Sequence, residues 1–139
     1  MGSGFRYICK KCNKKIEVFE GKGMMDFEEE LIDNNGKFNL LSRYVNGIDK
    51  EKLEKHLNDK DFILRSDYGL RIFQCPKCKE ISSRFYFELE STSKQKDDFE
   101  SKYLCKNCKE ILSPIGNLNS CPYCGGKFNP EEIEYINWD

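Results

Sequence analysis

Every cysteine in the chain belongs to a Cys-x-x-Cys pair: Cys9/Cys12, Cys75/Cys78, Cys105/Cys108 and Cys121/Cys124, eight thiols with none left over. This spacing lets a tight turn aim two sulfurs at a point about 2.3 Å from each, while backbone N–H groups of the turn donate to the thiolates and spread their charge. Two such turns complete a tetrahedral shell, so four turns imply two four-cysteine sites. The expected cofactors are two Zn²⁺ ions. Iron in a rubredoxin-like site is the alternative that the same sulfur set permits. An iron–sulfur cluster is disfavoured because the closely spaced Cys-x2-Cys-x2-Cys run is absent.

A chain of this composition needs such help. Its 139 residues are 38% hydrophobic and 34% charged, which leaves little apolar material for two independent cores. No apolar run approaches the ~18 to 20 residues of a membrane span, and the N-terminus lacks the apolar stretch of a secretory signal. The expectation is a cytoplasmic protein with no membrane partner. In that reducing compartment paired thiols are metal ligands more often than disulfides.

Which pairs share an ion is the next question. Cys105 and Cys108, then twelve residues, then Cys121 and Cys124 is the most specific spacing in the chain. Between them "KEILSPI" is strand-like, "GNLNS" is turn-rich, and "CPYCGGKF" ends in the glycines a tight turn exit needs. Residues 102–128 therefore resemble a zinc ribbon, with "CPYCGGKF" similar to the second knuckle of such proteins. A weaker resemblance covers a split ribbon at residues 5–20 plus 70–90. On this reading site 1 is Cys9, Cys12, Cys75 and Cys78, across 62 intervening residues, and site 2 is Cys105, Cys108, Cys121 and Cys124. The competing assignment joins Cys75/Cys78 to Cys105/Cys108 across 26 residues and leaves the first and last knuckles together.

The expected fold class is small α+β, with two ribbons of short antiparallel strands. "KKIEVFE" (14–20), "LRIFQ" (70–74) and "ISSRFYFELE" (81–90) read as strands of the first, the last of these with Phe85, Phe87 and Leu89 on one face. A small helical insertion at about 24–62 interrupts it, signalled by apolar residues at helical spacing and by Asp49 as a cap for a helix carrying Leu53. The expected domains are 1–90, a linker at 91–101 and a C-terminal ribbon at 102–139. Asn129, Pro130, Glu131 and Glu132 start a short C-terminal helix.

Four thiolates leave a metal ion no open position for water or substrate, and no acid–base set or phosphate loop is recognisable. The expectation is a non-catalytic zinc-binding protein that meets another protein as adaptor or regulator. The alternative is a nucleic-acid-binding module using Arg6, Lys10, Lys11, Lys14, Lys15 and Lys22, which surround the first knuckle among Phe5, Tyr7 and Phe19. The formal net charge of −1 does not favour a polyanion as partner.

Overall fold

The structure is a computed structural model. It describes residues 2–22, 51–53, 55, 62–94, 97–116 and 118–138. Among the described residues there are nine strands: β1 Gly2–Ile8, β2 Lys15–Gly21, β3 Phe62–Leu64, β4 Gly69–Gln74, β5 Ile81–Tyr86, β6 Glu88–Ser91, β7 Phe99–Glu100, β8 Ser113–Ile115 and β9 Glu134–Trp138. They form a six-stranded sheet in the order β5-β4-β2-β1-β9, with β8 also on β4, and a three-stranded sheet β3-β6-β7. All pairings are antiparallel.

The strand at 14–20 forms as β2 because alternation puts Ile16 and Val18 inward, 6% and 0% exposed, with the charged Lys15 and Glu17 facing out. It pairs along its whole length with β1, from Ile8↔Lys15 to Gly2↔Gly21. On its other side it meets β4 at one residue pair, Gly21↔Leu70, so the three expected strands share a sheet through a single-residue junction. The segment 81–90 divides in two. β5 belongs to the large sheet and β6 to the small one, and at the break the Phe87 N–H donates to Oγ of the buried Ser101 (3.2 Å). The alternation survives this change of sheet: Phe85, Phe87 and Leu89 fall in one apolar cluster with Leu53, Leu64 and Phe99. Tyr86, between them, packs in another with Phe73 and Tyr103.

Glu51, Lys52, Leu53 and Lys55 are helical, and Leu53 is fully buried in the first cluster. The rest of the expected helical insertion, and its Asp49 cap, lies outside the described residues, apart from Phe62, which begins β3.

Two expectations are corrected. Residues 91–101 are not a plain linker: Asp98 accepts from the Ser91 N–H at 2.8 Å, Phe99 and Glu100 form β7, and Phe99 is 3% exposed. The C-terminal helix stops after one 3-10 turn, Pro130–Glu132, capped as expected by Asn129, whose Oδ1 accepts from the Glu131 N–H. Ile133 is already extended, and residues 134–138 run as β9 against β1, from Arg6↔Glu134 to Gly2↔Trp138. The β-favouring Tyr135 and Ile136 and an available strand edge outweigh the helix start signal. Residues 102–139 are therefore no separate ribbon, because β9 completes the sheet that β1 begins.

Candidate metal centres

The four Cys-x-x-Cys segments fold into one repeated turn. In each, the residue before the first cysteine pairs with the residue six positions after that cysteine: Ile8↔Lys15, Gln74↔Ile81, Leu104↔Ile111 and Ser120↔Lys127. In each, the first cysteine donates its N–H to the carbonyl five positions on (Lys14, Glu80, Glu110, Gly126) at 2.7–3.0 Å. Its own carbonyl accepts from the residue four positions on (Asn13, Lys79, Lys109, Gly125) at 2.8–3.0 Å. That fourth residue has positive φ every time: 59°, 67°, 62° and 74°. The left-handed position reverses the chain so that both sulfurs face one side.

The turns associate in a nested order. Cys9, Cys12, Cys121 and Cys124 form one cluster and Cys75, Cys78, Cys105 and Cys108 the other, the sulfurs of each within 4.8 Å of one another. The grouping expected from the closest spacing is thus replaced by the competing one. Sheet pairing is the cause. β9 against β1 carries the fourth knuckle to the first, while Gln74↔Ser113 holds the start of β8 beside the residue preceding Cys75, which brings the third knuckle to the second.

The donor sets fit a tetrahedral ion. Sulfurs about 2.3 Å from a central zinc lie about 3.8 Å apart. Here Cys9 and Cys124 are separated by 3.4 Å, Cys12 and Cys121 by 3.7 Å, and Cys78 and Cys105 by 3.6 Å. No cysteine is in a disulfide. The first cysteine of every pair is buried and the second half-buried. Backbone donors support the sulfurs: the Cys78 N–H points to Cys75 Sγ and the Gly126 N–H to Cys124 Sγ, both at 3.4 Å. Gly126 gives the sulfurs room, since a Cβ there would sit 3.1 Å from Cys9 Sγ and 3.3 Å from Cys124 Sγ, closer than ordinary contact.

Thiol acidities within each cluster are split. Backbone N–H donation from Cys12 pulls Cys9 down to about 6, and donation from Cys78 pulls Cys75 down to about 7. Cys108 is pushed up to about 12, chiefly by its sulfur contact with Cys78 and by burial. At Cys124 the Gly126 N–H opposes the rise, but contact with Cys9, burial, and the neighbouring Cys12 and Cys121 outweigh it and hold the thiol at about 12. Four sulfurs this close cannot all carry charge unless a cation sits among them.

The six basic residues expected as a patch differ in their contacts. Arg6 bridges Glu17 (2.7 Å) and Glu134 (2.6 Å) across β2, β1 and β9, and Lys10 lies 3.4 Å from Glu132. Lys22 donates to the Ser66 carbonyl at 2.6 Å and covers the Tyr68 ring. Lys14 lies over the Tyr123 ring of the fourth knuckle at 4.0 Å, and Lys11 and Lys15 are exposed. Sequence reasoning missed the left-handed position shared by the four turns. Asn13 and Gly125 carry a signal for it, whereas Lys79 and Lys109 carry none.

No family model matches the chain, and no solved structure matches it. A stretch of 53 residues is 42% identical to the chaperone protein DnaJ of Campylobacter lari. That stretch is 37% of this chain and 14% of the chaperone. Among the described residues no helix is long and apolar enough to cross a membrane.

Proposed function

We propose that this chain is a non-catalytic zinc-binding protein whose two ions are structural and whose surface serves another protein as adaptor or regulator. One observation carries the reading: each cluster offers four thiols from two turns distant in sequence, so an ion held there would have its coordination filled and would staple the sheet. An ion so enclosed would have no position for water or substrate, which supports the reading that the surface carries the function.

That surface has features suited to a polypeptide. Leu104 and Ile111 pair across the base of the third knuckle while 58% and 54% exposed, and Tyr135 on β9 is 78% exposed. Arg6 and Lys10, two of the six cations of the nucleic-acid alternative, face carboxylates, which leaves that alternative four for phosphate contacts. The local similarity to a chaperone protein supports the same reading.

The test is purification of the zinc-loaded chain from its own host at physiological salt, followed by native mass spectrometry. The reading expects two zinc ions per chain and a stoichiometric protein companion that is absent when Cys121→Ser is purified alongside. Recovery of nucleic acid and no protein would contradict it.

A further inference from the structure

The nested pairing of the knuckles concentrates charge in a way the linear sequence hides. Of the chain's 23 Lys and Arg residues, nine lie in the four seven-residue knuckle segments, 9–15, 75–81, 105–111 and 121–127; of its 24 Asp and Glu, only Glu80 and Glu110 do. All nine are lysines, all are exposed, and among the described residues only Lys10 is ion-paired. The rest of the molecule is correspondingly acidic. Two zinc ions in tetrathiolate sites, each formally about −2, would offset part of this excess and leave the knuckles basic.

A shallow groove runs between the two clusters and is lined from all four knuckles: Lys14 and Lys15 from the first, Cys78 and Glu80 from the second, Asn107 from the third and Tyr123 from the fourth. Asn107 Nδ2 donates to Glu80 Oε2 at 2.8 Å, so the groove's one carboxylate already has a partner. Among the described residues neither Lys14, whose ammonium lies over the Tyr123 ring at 4.0 Å, nor Lys15 has a carboxylate partner, so both can meet an incoming anion.

We propose that this groove binds a short acidic segment of a partner polypeptide, its carboxylates on Lys14 and Lys15. The proposal deepens the adaptor reading and rests on it. Two observations favour a peptide over a nucleic acid. Tyr123 is the groove's one aromatic ring, and Lys14 covers a face of it at 4.0 Å, which hinders stacking by a base. The described residues outside the knuckles carry twelve Asp and Glu against nine Lys and Arg, so a long polyanion running on past the groove meets no further basic excess among them, whereas a short segment ends before it.

The experiment uses the zinc-loaded full chain and fluorescence polarisation with three labelled probes: a short peptide of mixed aspartate, glutamate and leucine, a lysine–leucine peptide of equal length, and an oligothymidylate of equal charge. The acidic peptide should bind, the basic one should not, and the oligothymidylate should bind more weakly than the acidic peptide. Joint Lys14→Glu and Lys15→Glu substitution should weaken the acidic peptide at least about tenfold, mostly through electrostatic attraction. Lys102→Glu, outside the knuckles, should leave it unchanged. Zinc content is measured on every variant, and Lys14→Gln with Lys15→Gln replaces the double reversal if that loses metal. Acidic-peptide binding that is absent, or that is indifferent to Lys14 and Lys15, overturns the proposal, as does tighter binding of the oligothymidylate. A host protein companion that stays bound to the Lys14/Lys15 variant would sink the groove alone and leave the adaptor reading standing. Peptide binding with no host companion would do the reverse.

Discussion

Cys9 and Cys124, 115 positions apart, place their sulfurs 3.4 Å from each other. That contact ties the first knuckle to the last and makes the outer cluster the clasp of the large sheet. The inner cluster, Cys75 with Cys105 and their partners, sits within it in sequence.

Metal removal should dismantle the clasp. Cys9 and Cys121 are members of the apolar cluster around Ile16, Val18 and Ile72, and Cys75 and Cys105 of the one around Phe73 and Tyr103. Apparent zinc-binding energies of about 10–16 kcal/mol in finger peptides match or exceed the whole stability of an ordinary domain, about 5–15 kcal/mol. Circular dichroism under a strong chelator should therefore lose its strand signal, and adding zinc back should restore it. An unchanged spectrum from verified metal-free protein would refute this.

The third knuckle holds a correctable strain. Lys109 adopts φ 62°, and Lys79 φ 67°. A side chain in the left-handed region costs about 1–2 kcal/mol, and glycine gives back part of that through the greater freedom of the unfolded chain. Lys109→Gly should raise the stability of the zinc-loaded protein by about 0.5–1 kcal/mol in urea unfolding. A loss of stability would show that the lysine side chain contributes more than its backbone conformation costs.

Zinc uptake should release protons and strengthen with pH. With Cys108 and Cys124 held at about 12, both carry protons at neutral pH, and binding must expel them. Cys9, pulled down to about 6, is already largely ionised there and contributes little. Affinity must then rise as pH rises, because fewer protons remain to be displaced, and fall on acidification as Cys9 and Cys75 also protonate. Calorimetric titration in buffers of different ionisation enthalpy around neutral pH should show net release of about two to four protons per ion. Zinc affinity independent of pH between 6 and 8 would contradict the thiol assignment.

The candidate ligands were legible in the sequence and their partition was not. Cys-x-x-Cys names all eight thiols because the spacing alone positions two sulfurs on one turn. The four turns share the same pairing and hydrogen bonds, so nothing local to a knuckle selects its mate. Loop length is a weak guide as well: each doubling of a closed loop costs only about 0.6 kcal/mol, which one extra strand pairing outweighs. The deciding contacts are β9 on β1 and β8 on β4. β8 was visible as a strand-like stretch, but Asn129-Pro130-Glu131-Glu132 disguised the approach to β9 as a helix start. Strands β2 and β4 were readable because their apolar residues alternate or run together. β6 was obscured because the chain changes sheets at Phe87 without losing its alternation.

The most direct test of the nested arrangement is the zinc content of paired cysteine variants, measured by native mass spectrometry. Cys9→Ser combined with Cys121→Ser damages a single cluster, so the protein should keep one zinc ion, while Cys9→Ser combined with Cys75→Ser should keep none. The reverse result, two ions lost in the first variant and one retained in the second, would contradict the account and restore the ribbon pairing that the sequence spacing suggests.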